Sequence, residues 1–251
     1  MEFIGIIPAR FASTRFPGKP LADICGMPMI ERVYRRAAAV LPQVCVATDD
    51  IRIAEAVDKF GGRAIMTSDR HKSGTDRCFE AYSLSGSDAE VVINIQGDEP
   101  FVSPDQINRI MSCFSDSETD IATLVRPFDV GQGFKALENP NTPKVVFGKD
   151  MYALYFSRSV IPYVRGAETG KWPAVTPYYT HVGMYAYRAS VLERIVDMPQ
   201  SSLELAESLE QLRWLQNGLK IKVAITDSPT IGIDTPEDLQ AAIEFCKQNN
   251  L

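Results

Sequence analysis

The stretch Ile6-Ile7-Pro8-Ala9-Arg10-Phe11-Ala12-Ser13-Thr14-Arg15-Phe16-Pro17-Gly18-Lys19-Pro20 decides how this chain is read. An apolar run from Phe3 to Ile7 is expected to stop at Pro8. Beyond it come the cations Arg10, Arg15 and Lys19, the hydroxyls Ser13 and Thr14, and Gly18. A strand that opens into a small basic loop lets a polyanion lie against the backbone. Neither common nucleotide loop is present. No Gly-x-Gly-x-x-Gly follows the strand, and Gly18-Lys19 leads into proline instead of Ser or Thr. The plain alternative is a surface turn with scattered basic residues.

Working outward, strand-like and helix-period runs alternate through the first half. Phe3–Ile7 leads to a helical pattern over Met29–Leu41, then a strand at Val44–Ala47, a helix at Ile51–Phe60 and a short strand at Ala64–Met66. A helix is expected from near Thr75 through Tyr82, a strand at Val91–Ile95, and a further helix after Ser103-Pro104. This alternation predicts an α/β fold, with a mostly parallel central sheet covered on both faces as a three-layer sandwich. From about Ile121 the pattern changes. Strands are expected at Ile121–Val125, Lys144–Phe147 and Met151–Phe156, with a hairpin turn at Gly148-Lys149-Asp150. Pro127 to Pro143 and Val164 to Pro177 read as loops. Ser201-x-x-Glu204 reads as a capping box before a helix of about fifteen residues. Lys220–Thr226 returns as a strand, and Thr235-Pro236 caps a final helix. The expectation is one domain over 1–251, with an antiparallel extension at approximately 121–200.

The 251 residues carry a net charge of −6, and 45% of them are hydrophobic. That balance excludes a disordered chain and argues against a broad nucleic-acid surface, which needs a basic face. A local cluster of positive charge on an acidic background points to a small anionic ligand. The five cysteines are widely spaced, which reads as free thiols in a reducing compartment. Two histidines leave no material for a multi-histidine metal site. No run approaches a membrane span and the apolar start is too short for a signal-peptide core, so a cytoplasmic protein is expected.

Gln96-Gly97-Asp98-Glu99-Pro100 follows a strand directly. Ligands of open α/β sheets bind at the carboxyl ends of strands, so Asp98 is expected on the same rim as the Arg10–Lys19 loop, able to hold Mg2+ against phosphate. A commonplace Gly-Asp turn is the alternative. Asp234, ahead of a capped helix, reads equally as a second metal carboxylate or as a contributor to the cap. Ser73-Gly74-Thr75-Asp76-Arg77 suits phosphate or base-edge recognition, or simply a helix cap. Glu207, Glu210, Gln211 and Trp214 share one helical face that can bind a polyol or face solvent. His181, beside Tyr185 and Tyr187, reads first as structural.

Together these segments resemble the 3-deoxy-manno-octulosonate cytidylyltransferase (CMP-KDO synthetase) family. The resemblance is carried by Ile7 to Leu21, Val46-Ala47-Thr48-Asp49-Asp50, Ser73 to Arg77, Asn94 to Pro100, Tyr152 to Arg158, His181 to Arg188, Leu209 to Arg213 and Gly232 to Leu239. It implies transfer of CMP from CTP to the acid sugar KDO, with Mg2+ as cofactor, pyrophosphate as co-product, a homodimer and a place in lipopolysaccharide assembly. On this likeness Pro8, Ala9, Arg10, Ser13, Arg15, Lys19, Ser73, Gly74, Arg77, Gln96 and Asp98 bind the nucleotide. Arg10, Lys19 and Asp98 are catalytic, and Asp98 and Asp234 hold the metal. Gln96, Arg158, His181, Tyr185, Glu210 and Gln211 line the sugar pocket, with Arg158 assigned to the KDO carboxylate. Phe16, Met27 and Asp76 depart from the family's usual leucine, lysine and glutamate, and Arg165–Thr176 is too variable to assign. Competing readings are cytidylylation of another acid sugar, a glycosyltransferase, for which no Asp-x-Asp motif is present, and a non-catalytic nucleotide sensor.

Overall fold

Strand β1 spans Phe3–Ala9, and its consecutive residues Ile4, Gly5, Ile6 and Ile7 are all buried. A strand apolar on both faces is stable only when both faces are covered. The computed structural model describes residues 1–12, 15–229 and 231–249. Its chain divides into two compact units, one of Met1–Asn108, Arg188–Val196 and Pro229–Leu251, the other of Arg109–Tyr187 and Asp197–Ser228.

In the first unit β1 is followed by β2 (Asp23–Ile24), β3 (Met27–Pro28), β4 (Gln43–Thr48), β5 (Ala64–Met66) and β6 (Val91–Asn94). The order β6-β1-β4-β5 is parallel throughout, while β2 and β3 form a separate antiparallel hairpin. Helices α1 (Met29–Ala38), α2 (Ile51–Lys59) and α3 (Gly74–Ser85) provide crossovers between these strands, as parallel pairing requires. Ser73 caps α3 by accepting from the Asp76 N–H at 3.1 Å.

One boundary differs in a way that matters for the site. The strand does not stop at Pro8 but runs to Ala9, with Pro8 paired to Ala47 of β4. The Ile6 carbonyl accepts from the Ile95 N–H, so residue 6, and by the period of two residue 8, turns its polar groups toward β6. Pairing with β6 ends at Ile6 opposite Asn94, so the donor that proline lacks is not needed there.

The second unit contains β7 (Ile121–Pro127), β8 (Lys144–Phe147), β9 (Ala153–Ser157), β10 (Tyr179–Arg188) and β11 (Ile221–Ile225). β11 lies parallel to β7, β10 antiparallel to β7, and β8 antiparallel to both β10 and β9. The antiparallel excursion expected after Ile121 is present, with the 148–150 turn joining β8 to β9. Two expectations are corrected. The expected loops hold short helices at Phe134–Leu137 and Trp172–Val175, because Leu137, Trp172 and Tyr178 form their own small core. The helix announced by the Ser201–Glu204 capping box has six residues, Ser202–Glu207, not about fifteen. The Arg158 guanidinium takes the carbonyls of Glu207 and Ser208, and Ser208 turns left-handed at φ 51. A second short helix then runs over Gln211–Gln216.

Candidate active site

The basic loop closes on itself before it reaches Lys19. Gly18 donates its N–H to the Phe11 carbonyl at 2.9 Å, and the Arg52 guanidinium lies 3.3 Å above the Phe11 ring. A single turn, Lys19–Leu21, with Pro20 buried, then aims the Lys19 side chain inward. On the opposite side β6 is followed, after Ile95, by Gln96-Gly97-Asp98. A Cβ on Gly97 would lie 2.7 Å from the Pro8 carbonyl oxygen, so only glycine permits this approach of the two strand ends. The Asp98 carbonyl accepts from the Ile233 N–H at 2.9 Å, which brings the segment carrying Asp234 to the same rim.

The resulting cleft, about 350 Å³, is lined by Pro8, Ala9, Arg10, Arg15, Lys19, Ser73, Gly74, Arg77, Gln96, Asp98 and Asp234. Every nucleotide and metal residue expected from the sequence therefore shares one cavity, except Ser13, which lies outside the described residues. At its centre the Lys19 ammonium donates to Asp98 Oδ2 at 2.9 Å and Asp234 Oδ1 at 3.2 Å, and Arg15 pairs with Asp234 Oδ2 at 3.2 Å. The two carboxylates thus converge on a single cation. Asp234 is not the helix cap. Thr235 Oγ1 accepts from the Asp238 N–H, and the Asp238 carboxylate accepts from the N–H groups of Asp234 and Thr235. Those bonds hold the Asp238 carboxyl below its ordinary range, although partial burial opposes them.

Some members serve the wall more than the opening. Arg77 is buried and donates to Asp49 Oδ2 at 2.9 Å and Thr67 Oγ1 at 2.7 Å, pinning α3 beneath the cleft. His71 and Lys72 also line the cleft, unnoticed in the sequence because they sit in an irregular stretch before the Ser73 cap. His71 bonds Glu80. Burial pushes the Glu80 carboxyl up, but the bonds from His71 and the Ser68 N–H outweigh it and hold it below its usual value. Glu99, next to Asp98, is pushed up to about 7 by burial and then by the Asp98 charge.

Arg158, His181, Tyr185, Glu210 and Gln211 belong to the second unit. His181 bonds Thr123 Oγ1 at 2.9 Å and packs against the rings of Phe156 and Tyr185, and burial lowers its pKa to about 4. Burial likewise pushes the Tyr185 phenol well above its ordinary value. Tyr185 stands edge-on to Trp214. Gln211 and Trp214 are buried, so the helical face expected to be polar is turned inward instead of toward solvent. The Tyr185 hydroxyl and Gln211 Nε2 have no protein partner among the described residues. Glu210 pairs with Arg213 at 2.8 Å. The Arg158 fork, expected to face a carboxylate, is spent on backbone. Its three nitrogens donate to the carbonyls of Glu207, Pro140 and Ser208.

Comparison with known proteins bears on this geometry. Residues 4–221 match the family model described as cytidylyltransferase. The 3-deoxy-manno-octulosonate cytidylyltransferase of Parabacteroides distasonis is 62% identical over 98% of this chain and 98% of its own length. That of Bacteroides thetaiotaomicron is 59% identical over the full length of both. A solved structure of CMP:2-keto-3-deoxy-manno-octonic acid synthetase complexed with CTP superposes with a TM-score of 0.90. It is 41% identical over 99% of this chain and 100% of the other. The α/β sandwich expected from the sequence is the fold of that enzyme. With a family model over most of its length and full-length relatives above half identity, this chain belongs to the 3-deoxy-manno-octulosonate cytidylyltransferase family of nucleotidyltransferases.

Proposed function

We propose that this chain transfers CMP from CTP to KDO, giving CMP-KDO and pyrophosphate for lipopolysaccharide assembly in the cytoplasm. The observation that carries the reading is the meeting of Arg10, Arg15 and Lys19 with Asp98 and Asp234 in one cleft. Its volume lies within the range of small-molecule pockets. The CTP seen in the related synthetase structure and the names of the full-length relatives support the choice of nucleotide and sugar.

The anomeric hydroxyl of the sugar attacks the α-phosphorus, and pyrophosphate leaves in line. Charge grows on the phosphoryl and leaving oxygens, so the task of the protein is positioning and electrostatic stabilisation. Arg10 and Arg15 hold the triphosphate from the exposed side of the loop. Lys19, enclosed by the cleft, exchanges its carboxylate contacts for phosphate oxygens and neutralises the departing pyrophosphate. Ser73 and Gly74, at the start of α3, offer backbone N–H groups to the nucleotide.

Mg2+ fits this donor set. Among the described residues no cluster of three or more His, Cys, Asp or Glu is placed to hold a metal. Magnesium instead favours one or two carboxylates completed by phosphate oxygens and water. Asp98 and Asp234, whose oxygens converge on the Lys19 ammonium, would hold it. Bound with the triphosphate, it would neutralise phosphate charge and lower the pKa of the attacking hydroxyl.

For the sugar, His181, Tyr185, Glu210 and Gln211 of the second unit are the proposed contacts. The unmet hydrogen-bonding groups of Tyr185 and Gln211 support this, since a polyol supplies the missing partners. A homodimer is proposed through the second unit, where Leu154, Tyr163 and Val175 expose apolar surface. Light scattering at the mass of one chain would contradict it. The test of function is pyrophosphate release with CTP, KDO and Mg2+, against a panel of other acid sugars. Turnover confined to another sugar, or CTP binding without turnover, would overturn the assignment.

A further inference from the structure

The β2–β3 hairpin turns through two residues, Cys25 and Gly26, because Ile24 pairs with Met27. Both have positive φ, 52° at Cys25 and 84° at Gly26. Such a turn favours Asn, Asp or Gly at its first position, and a cysteine there is held in a sparsely populated conformation. An exposed residue kept at that cost invites a reason beyond packing. Its surroundings supply one. The Cys25 thiol reaches the C-terminal helix Pro236–Asn249, donating to the Ile243 carbonyl at 3.7 Å. One turn further along that helix is Cys246, buried, near enough to Cys25 for each thiol to act on the other. Arg32 donates to the Ile24 carbonyl at 2.9 and 2.6 Å, directly beneath the turn, and with Arg36 places positive charge beside Cys246. Burial and the Cys25 contact raise the Cys246 thiol, and this pair of arginines opposes them.

We propose that Cys25 and Cys246 form a reversible redox clamp, closed by a small-molecule disulfide such as oxidised glutathione. The exposed Cys25 thiolate attacks one sulfur of the oxidant and releases the first small thiol. Cys246 then gives its proton to solvent and attacks the Cys25 sulfur, expelling the second. Two protein thiols are oxidised to one disulfide, and the oxidant is reduced to two thiols. The bond ties the hairpin that follows the Lys19–Leu21 turn to the helix that follows Asp234. It therefore fixes covalently the two segments that carry Lys19 and Asp234 to the cleft. In a reducing compartment the clamp stands open and closes when disulfide oxidants accumulate.

The test incubates the full-length protein with oxidised glutathione and reads thiols, peptides and melting. Thiol titration after denaturation is expected to fall by two of the five cysteines, and mass spectrometry to find a Cys25–Cys246 cross-linked peptide. Closing so long a loop is expected to raise Tm by roughly 5 °C, reversed by dithiothreitol. Cys25→Asn, suited to the turn, should remove the cross-link and the glutathione response without lowering the Tm of the reduced protein. A glutathione adduct that persists on Cys25 while Cys246 stays free, or no thiol loss at all, would overturn the proposal.

Discussion

Lys19 donates to Asp98, 79 positions further along the chain, at 2.9 Å, while its other carboxylate contact, Asp234, lies 3.2 Å away. A single ammonium thus holds two carboxylates that would repel each other when left alone. Such an arrangement is poised for exchange. When a tetra-anionic triphosphate enters, the lysine has stronger partners, and the carboxylates are freed to face a divalent cation. The account of function depends on this exchange.

Lys19→Ala is expected to lower kcat by about a hundredfold or more, the usual scale for removing a preorganised electrostatic contact. Because the lysine also separates Asp98 from Asp234, Mg2+ alone should bind this variant more tightly than it binds the wild type. Titration calorimetry with the ion checks that second outcome separately from turnover.

Asp98→Asn and Asp234→Asn are each expected to raise the Mg2+ concentration needed for half-maximal turnover, by tenfold or more, with Asp98 the more severe because it is the less exposed of the two. A metal titration of turnover in both variants decides this. An unchanged midpoint in either would remove that residue from the metal.

Gly97→Ala drives a methyl to within 2.7 Å of the Pro8 carbonyl, an approach that backbone cannot relieve cheaply. A destabilisation of about 1–3 kcal/mol is expected, with a rise in KM for CTP as the β1 and β6 ends are pushed apart. Chemical denaturation and steady-state kinetics measure the two effects.

His181 carries a pH signature. Its folded pKa, about 4, is depressed by burial from the ordinary 6.5. A depressed histidine contributes its full stability above the unfolded pKa. That contribution is lost as pH falls from about 6.5 toward 4, because the unfolded chain binds the proton first. The loss approaches about 3 kcal/mol over that window. His181→Gln should flatten the denaturation free energy between pH 6.5 and 4, whereas an unchanged slope would place the lost protons elsewhere.

Much of the site was legible because its chemistry is local. Pro8-Ala9-Arg10, Gly18-Lys19, Ser73-Gly74 and Gln96-Gly97-Asp98 each sit at or beside an element end, where strand periodicity and turn residues mark the rim. The choice between cap and metal ligand at Asp234 was not legible, since Thr235 and Asp238 satisfy the cap only in three dimensions. His71 and Lys72 join the cleft by tertiary placement alone. The break at Ser208 escaped the sequence because no glycine or proline announces it. It depends on Arg158, fifty residues away, capturing the Ser208 carbonyl. The same capture explains why an arginine suited to a carboxylate is turned to backbone. Pro8 misled in the other direction, because a proline ends a strand only where its missing donor is required.

The most direct test of the central claim is pyrophosphate release by the wild-type protein with KDO and Mg2+, compared across CTP, UTP and ATP. The account predicts turnover with CTP that exceeds the other nucleotides by orders of magnitude, vanishes when Mg2+ is chelated, and collapses in Lys19→Ala. Equal turnover with all three nucleotides, or undiminished release without the divalent ion, would contradict it.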